Sequence, residues 1–425
     1  MRRTTWRSCG ALAMATAAAA TPALAAPAAD PLAAVAAGKP ILDLRARYEE
    51  VDQANLVPDA WAYTVRARFG WETAAWNGFK ALVEGEAVGH LDAGDYNVAP
   101  PGGASLNGRP QYPIINDPSV LELNRAQLSW TASPAFTATA GRQRILVDDQ
   151  RFVGNVGWRQ DEQTFDAARG DAKLGPVTAT YAYVWQVNRI LGQKADWRSD
   201  SHLFNAVWPI DPHLRLEGFV YALDFPTAPL SSTLTRGARA TGKARAGDAA
   251  LAYEATYARQ SPYGANPGAF GLDFWQASGA ATWRRATLKA DYEQLNGDGV
   301  HAFVTPLATT HAFQGWADAW AAVGGNKIHV DGLKDLNFTL VLKPKSPAPF
   351  LRNPEILVRR HDFWAERTGA KLAAEWDAQV QAGVTPKLTC ALKYADFRRE
   401  AQVPAGTTLA PPSRRKVWLT LEFKL

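Results

Sequence analysis

Apolar and polar side chains alternate one by one along most of this chain, which limits it to β-strands whose two faces meet different environments. Residues two apart in a strand lie on the same face. The final stretch shows the pattern clearly, with apolar Val417, Leu419, Leu421, Phe423 and Leu425 between polar Lys416, Thr420, Glu422 and Lys424. A free apolar edge is an aggregation template, so this last strand must be paired. If its partner is the first strand, the sheet closes into a barrel.

The same alternation recurs from one end of the chain to the other, at residues 41–51, 61–69, 79–87, 177–188, 251–257, 371–380 and 387–394. Short connections (72–77, 131–135, 211–213, 245–248 and 383–386) are interspersed with long Gly- and Pro-rich ones (91–118, 145–160, 296–332 and 398–413). This rhythm is typical of transmembrane barrels, which have short periplasmic turns and long extracellular loops. The sequence therefore predicts an all-β fold, a closed antiparallel transmembrane β-barrel of about 18 strands.

The N-terminus has the composition of a secretory signal peptide. Arg2, Arg3 and Arg7 precede the apolar run 11–20, and residues 23–25 form a small-residue cleavage site. We therefore expect a signal peptide at 1–25, a short periplasmic N-terminal segment at 26–40 and the barrel at 41–425. After the leader, no run of about 18 apolar residues is present that could form a transmembrane helix.

The charge of the chain gives no support to nucleic-acid binding. Lys and Arg number 46 and Asp and Glu number 41, but three of the basic residues lie in the predicted leader. The rest of the chain has nearly equal numbers of basic and acidic residues, and no basic helix with interleaved aromatic residues is present. Cys390 is the only cysteine beyond the leader, so no intrachain disulfide is expected.

The positions of the aromatic residues favour a membrane barrel over a large soluble β protein. Trp275 and Trp283 lie eight residues apart on one face, which corresponds to roughly 21 Å of height in a tilted strand. Trp71 and Trp76 flank one short connection. Such spacing is typical of two aromatic girdles at the membrane interfaces, whereas a sandwich would direct these rings into a shared core. The expected location is the outer membrane.

Three segments resemble a known family. Residues 139–166 read TAGRQRILVDDQRFVGNVGWRQDEQTFD, which is similar to the signature of the alginate export family of outer-membrane β-barrel porins; residues 311–318 (HAFQGWAD) and 374–377 (AEWD) are similar to two further family segments. The resemblance implies a porin, and alginate or another uronate-containing saccharide as a candidate solute. The chain departs from such barrels at Leu425, where an aromatic residue is usual.

Four arginines are predicted to line the lumen. Arg45, Arg47, Arg66 and Arg68 lie on the polar faces of neighbouring strands, and guanidinium groups bind carboxylates in bidentate fashion. They predict an anion-attracting wall, with Glu84 and Glu86 on the next strand neutralising and orienting them. A salt-bridge ladder that merely fills the lumen requires the same residues, so both interpretations stay open.

Lys371 and Lys393 are further lumen candidates, because each lies on the polar face of its strand. Arg142 and Arg144 are also candidates, because they belong to the GRQR segment, which in relatives contributes to the lumen. Phe136 has the same parity as these two arginines, so they point inward only if Gly141 forms a bulge; otherwise they are rim residues that contact lipopolysaccharide phosphates. Trp316 is either a sugar-stacking platform on a loop folded into the pore or an interfacial residue, and Asp318 accompanies it.

No catalytic motif, metal motif or cofactor site is predicted. Residues 103–108 miss a nucleophile elbow because Asn107 occupies the second glycine position. We therefore expect a passive channel for an anionic or polar sugar-like solute. The alternatives are a general small-solute porin, a barrel hydrolase and a secreted carbohydrate-binding protein. Expected partners are membrane lipid, lipopolysaccharide, the solute and the barrel assembly machinery, without nucleic acid, and a monomer is expected rather than a trimer.

Overall fold

The computed structural model describes residues 28–91, 94–100, 103–320 and 329–425. The predicted signal peptide, 1–25, lies outside the described residues. Within them, eighteen strands account for most of the chain: β1 Lys39–Gln53, β2 Ala60–Glu72, β3 Phe79–His90, β4 Val120–Ser133, β5 Phe136–Gln143, β6 Thr164–Leu174, β7 Val177–Asn188, β8 Trp197–Asp211, β9 Leu214–Leu223, β10 Thr233–Ala246, β11 Ala249–Pro262, β12 Leu272–Trp283, β13 Ala286–Leu295, β14 Leu333–Leu342, β15 Arg352–Ala365, β16 Lys371–Gly383, β17 Leu388–Arg399 and β18 Arg414–Lys424.

All strands pair with their sequence neighbours in antiparallel fashion, and β1 pairs with β18 to close the sheet. Leu44 lies opposite Phe423 in this closing pair, and Arg45 lies opposite Glu422. Because the described sheet is closed, the apolar final strand has no unpaired edge that could act as an aggregation template. The predicted fold class, a closed antiparallel barrel of about 18 strands, is confirmed.

A short helix precedes the barrel. Helix α1, Pro31–Ala36, is capped by Asp30, whose side chain accepts a hydrogen bond from the Ala33 N–H. Trp71 of β2 donates its indole N–H to the Val35 carbonyl at 2.9 Å. Short 3-10 turns occur at Gln193–Ala195, Pro229–Ser231 and Thr310–Ala312. No helix in the described ranges is long and apolar enough to cross a membrane.

The outer and inner faces of the barrel carry different side chains, as the alternation of apolar and polar residues predicts. Trp275 and Trp283 point outward and are 49% and 51% exposed, whereas Arg66 points inward and is fully buried. The connections at one end are short, such as 134–135 and 212–213, and those at the other include 91–119, 144–163, 296–332 and 400–413. We call these the short-turn end and the long-loop end.

Part of the inner face is apolar, which the alternation alone did not predict. Phe165, Phe219 and Phe274 point inward from β6, β9 and β12 and pack with Val153 and Leu307 from two connections. A second cluster joins inward-pointing side chains of β15, β17 and β18 to the connection that contributes Leu307: Phe363, Phe397 and Trp418 with Trp316 and Trp320. The lumen is therefore partly filled by chain, because these buried rings form seats for loops that fold into it.

Candidate functional site

Two connections enter the barrel and pack against each other. The first inserted loop is the β5–β6 connection, 144–163, and the second is the β13–β14 connection, of which 296–320 and 329–332 are described. Val153 and Leu307 form a parallel bridge between them, and the Gly154 N–H donates to the Leu307 carbonyl at 2.8 Å. The interior of the barrel is thus shaped by the strand wall together with two loops.

The predicted arginine wall holds the first inserted loop. Arg45 Nη1 lies 3.1, 3.2 and 3.1 Å from the backbone carbonyls of residues 157, 158 and 159, respectively. Arg47 Nη1 donates to the Trp158 carbonyl at 2.8 Å, and its guanidinium lies 4.1 Å from the centroid of the Trp158 ring. A buried carbonyl needs a donor, and these two arginines supply it. Both side chains point inward, as predicted, but their donors are used by the protein itself.

Arg66 and Arg68 are also committed to internal partners. Arg66 is paired with Asp43 and lies 3.5 Å from Glu422. Arg68 is paired with Glu86 and lies 3.5 Å from Glu162 of the first inserted loop. These carboxylates balance two guanidinium groups that are almost completely shielded from solvent.

Glu84 completes this network on the neighbouring strands. It accepts hydrogen bonds from Arg125 at 2.7 Å and Asn124 at 2.8 Å, and Arg144 lies 3.5 Å away. Arg144 Nε also donates to Glu162 at 2.7 Å. Glu84, Glu86 and Arg144 therefore all face the interior, where they hold the base of the first inserted loop.

Arg142 points to the outer face instead of the lumen. Strand β5 keeps an unbroken register with β4 and β6 through Gly141, so the bulge needed to turn Arg142 inward is absent from this strand. Arg142 shares the face of the exposed Phe136 and pairs with Asp166 of β6 at 2.7 Å. The expectation that it lines the lumen is corrected, and the alternative of a rim residue agrees with its position.

Lys371 also lies on the outer face, and its predicted inward position is wrong. The pairing of β16 with β15 shifts between Phe363 and Trp364, which leaves Leu372 as an extra residue. Such a bulge reverses the face of the residues before it. Lys371 Nζ consequently lies 3.1 Å from Asp362, on the outward parity of β15.

The second inserted loop is held by carboxylates. Glu375 accepts a hydrogen bond from the Ala317 N–H at 2.6 Å, and Asp377 accepts one from the Trp316 N–H at 3.3 Å. Both acids are buried on the inner face of β16. One loop is therefore bound through its carbonyls by arginines and the other through its N–H groups by acids. The sequence alone gave no signal of this division.

Trp316 and Asp318 lie where the two loops meet. Asp318 is 3.0 Å from Arg159, 2.9 Å from His311 and 3.5 Å from Lys416. Trp316 is buried inside the barrel, so it is not an interfacial residue. Lys393 of β17 lies beside its ring, with Nζ 3.7 Å from the ring centroid. The structure thus brings together three of the predicted lumen residues, Trp316, Asp318 and Lys393.

A cavity of about 400 Å³ lies between these loops and the inner faces of β11–β17. Its six carboxylates each have a cationic or imidazole partner within 4 Å; they are Asp149, Glu254, Asp291, Glu293, Asp335 and Glu355. Among the described residues, its cations Arg359 and Lys393 have no carboxylate within that distance. Arg359 Nε donates to Thr339 at 2.9 Å, and its guanidinium lies 5.5 Å from the Trp316 ring centroid. These two cations therefore face the cavity without a direct ion pair, and the buried Asp377 lies opposite Arg359 in the β15–β16 register.

Sequence reasoning missed Arg359 and Trp158, both of which line this cavity. Arg359 has the inward parity of Leu357 and His361, but four nearby prolines obscured the strand pattern in this region. Trp158 lies in the loop segment quoted for the family resemblance. Its role depends on loop insertion, which no local pattern indicates. Within the described ranges, no group of three or more His, Cys, Asp or Glu side chains could hold a metal ion.

Asp161 is an unfavourably placed carboxyl in the first inserted loop. Neither of its carboxylate oxygens has a hydrogen-bond donor among the described residues, and the residue is fully buried. Burial raises the pKa of Asp161 well above its usual range, and the nearby Glu122 and Glu86 raise it further. The folded protein holds the Asp161 proton more tightly than the unfolded chain does, because the folded-state pKa is the higher of the two. The resulting stabilisation of the folded state is complete below the unfolded-state pKa and is lost as the pH rises through the folded-state pKa.

We expect Asp161→Asn to stabilise the protein at pH 8 by roughly 1–3 kcal/mol, because the amide is neutral without binding a proton, whereas the buried carboxyl must either carry an unsatisfied charge or retain a proton that the unfolded chain releases. The gain should disappear near pH 4, where both side chains are neutral in the folded protein. Urea unfolding in detergent at the two pH values measures this. As a control, Asp171→Asn alters a half-buried acid that is paired with Arg169 and should not stabilise. Equal stability of D161N and wild type at pH 8 would contradict the assignment.

Comparisons with known proteins give structural matches only. No family model matches the chain, and no curated protein matches it. Among solved structures, Acinetobacter baumannii OccAB2 has a TM-score of 0.70 at 14% identity, with 92% of this chain and 99% of that chain covered. Pseudomonas aeruginosa OccK9 (OpdG) has 0.69 at 13%, covering 92% and 100%. Pseudomonas aeruginosa OpdK, solved with vanillate, has 0.68 at 15%, covering 92% and 99%. This likeness spans nearly the whole described barrel and establishes the fold, without pointing to the alginate export family.

Proposed function

We propose that this protein is a porin, a passive outer-membrane channel for small solutes that performs no chemical step. The closed barrel with an apolar, Trp-bearing outer face supports this, since such a surface suits a lipid environment. The fold likeness to OpdK, which is described as an outer membrane protein, adds support. So does the predicted signal peptide, which would direct the chain out of the cytoplasm.

We infer that the preferred solute is a small anion, and the charge balance of the cavity carries this inference. Each cavity carboxylate has a direct partner, with Asp149 and Glu254 sharing Arg239, whereas among the described residues Arg359 and Lys393 have no carboxylate within 4 Å. A cation that faces the solute without a direct ion pair lowers the barrier for anions. Candidate solutes are uronates and their saccharides, including alginate-derived ones, and small aromatic acids such as the vanillate present in the OpdK structure.

Reversal potentials in planar bilayers under a KCl gradient test this inference. We expect anion preference in the wild type, a weaker preference in Arg359→Gln and a reversed one in Arg359→Glu. A unit charge about 4 Å from an ion in a water-like medium changes its energy by about 1 kcal/mol, or roughly five-fold in occupancy. Arg360→Gln is the matched control, because the adjacent Arg360 points outward and pairs with Asp362 at 3.0 Å. Unchanged selectivity in Arg359→Glu would remove Arg359 from the filter.

Liposome swelling with the purified protein identifies the solute class. Uronates and vanillate should enter faster than neutral sugars of similar size. Equal rates for neutral and charged solutes would favour the general small-solute porin. A lumen that passes no ions at all would remove the transport proposal and leave the barrel hydrolase as the alternative to test.

We further propose that the protein is a monomer, inserted by the barrel assembly machinery and surrounded by lipopolysaccharide. The outward position of the Arg142–Asp166 pair near the long-loop end supports a contact with lipopolysaccharide phosphates. The short segment before β1 would lie on the periplasmic side, since it adjoins the short-turn end through the contact of Trp71 with Val35.

A further inference from the structure

Lys393 is a buried cation with an unusual set of partners. It points inward from β17, is 7% exposed and has no ion pair with a carboxylate among the described residues. Its Nζ lies 3.8 Å from the ring centroid of Trp158 and 3.7 Å from that of Trp316. The ammonium is therefore held between two indole faces, which attract cations through their quadrupoles.

The third partner of the ammonium is an imidazole. Lys393 Nζ lies 3.1 Å from His311 Nε2, and His311 Nδ1 lies 2.9 Å from Asp318 Oδ1. Because the carboxylate can only accept, the proton of the neutral imidazole is assigned to Nδ1, and Nε2 is left to accept from Lys393. An ammonium has three N–H donors, and here two ring faces and one nitrogen lone pair receive them. The charge of Lys393 is satisfied without a carboxylate.

These partners belong to different loops. Trp158 lies in the first inserted loop, and His311 and Trp316 belong to the second. The Trp158 and His311 rings also stack, with centroids 3.9 Å apart and planes 2° apart. A single side chain of the barrel wall thus joins the two loops where they border the cavity.

We propose that Lys393 is a positioning residue that locks the two inserted loops together and so sets the width of the passage. This rests on the proposed function, because a lock on the loops matters only if solute passes them. It assigns Lys393 a role distinct from that of Arg359, whose guanidinium has no contact with the first inserted loop among the described partners. The lock holds the loops, and Arg359 acts on the solute.

Single-channel recording tests the proposal with Lys393→Met, which keeps much of the side-chain volume and removes the cation. We expect the open-channel current to become noisy and to split into sublevels, because Trp158 and Trp316 then lose the side chain that holds them together beside the cavity. Lys393→Arg should remain quiet, since a guanidinium also stacks between indoles. Lys289→Met is the matched control, because Lys289 lines the same cavity but pairs with Asp291. Heat-modifiable migration in detergent gels confirms that each variant is folded.

Hydrogen exchange in detergent tests the lock without relying on transport. In Lys393→Met, the amides of residues 157–159 and 316–318 should exchange roughly ten-fold faster than in wild type and in Lys289→Met. Amides of the β-strands should be unchanged. If the wild type does not conduct but this acceleration is seen, the proposed function fails and the lock stands. A quiet current together with unchanged loop exchange in Lys393→Met would overturn the proposal.

Discussion

Replacing Arg68 with methionine is expected to lower the free energy of unfolding by about 3–5 kcal/mol, because it leaves the buried Glu86 without its cation. Arg68 is paired with Glu86 and lies 3.5 Å from Glu162, and both acids are fully buried. With the guanidinium gone, Glu86 has no ion-pair partner among the described residues, in a site that water does not reach, whereas Glu162 keeps its contact with Arg144. Urea unfolding of the folded protein in detergent, followed by tryptophan fluorescence, measures the loss.

The compensating variant separates this effect from simple loss of packing. Arg68→Met combined with Glu86→Gln removes both charges of the buried pair, leaves the contact of Glu162 with Arg144 in place and should recover most of the stability. Arg398→Met is the control, because Arg398 is largely exposed and pairs with Asp396 on the outside of the barrel. If Arg68→Met is instead as stable as wild type and loses anion preference, the original interpretation of these arginines as a solute-attracting wall is restored.

Replacing Trp158 with alanine is expected to raise single-channel conductance by about two-fold and to strengthen anion preference. The indole borders the cavity and covers two cations: the Arg47 guanidinium lies 4.1 Å from its ring centroid and Lys393 Nζ lies 3.8 Å from it. Its removal widens the space between the loops. It also exposes positive charge to the passage, because the carbonyl contacts of Arg47 with the loop backbone remain.

Conductance and reversal potential are measured on the same channels. Trp158→Phe should remain close to wild type, since phenylalanine retains a ring face for the cations. Trp376→Ala is the matched control, because Trp376 lies on the outer face and is 49% exposed. A Trp158→Ala channel with wild-type conductance would place the narrowest point elsewhere in the barrel.

The barrel itself was predictable because its evidence is local. Each strand shows which side chains share a face by a period of two, and Arg45, Arg47, Arg66 and Arg68 all lie on the predicted inner side. The predictions failed where the local period breaks. The extra residue Leu372 reversed the face of Lys371, and a bulge at Gly141, which would have turned Arg142 inward, is absent from β5.

The site was less predictable because it depends on loops. The inward aromatic residues Phe274, Phe363 and Trp418 stand on faces expected to be polar. In retrospect, they were the signal that chain folds into the lumen. A large ring on the inner face of a wide barrel needs a covering segment, but the sequence did not say which connection supplies it.

The sequence by itself determined the closed barrel, an approximate strand count and the inward direction of Arg45, Arg47, Arg66 and Arg68, since the two faces of a strand follow from neighbouring residues. Only the tertiary structure decided which charges remain available to a solute. Arg47 meets Trp158 across 111 positions of sequence, and such loop contacts, with cross-strand pairs, satisfy the predicted wall, while Arg359 has no carboxylate within 4 Å among the described residues. Charge pairing depends on distances in space, which an alternating pattern does not contain.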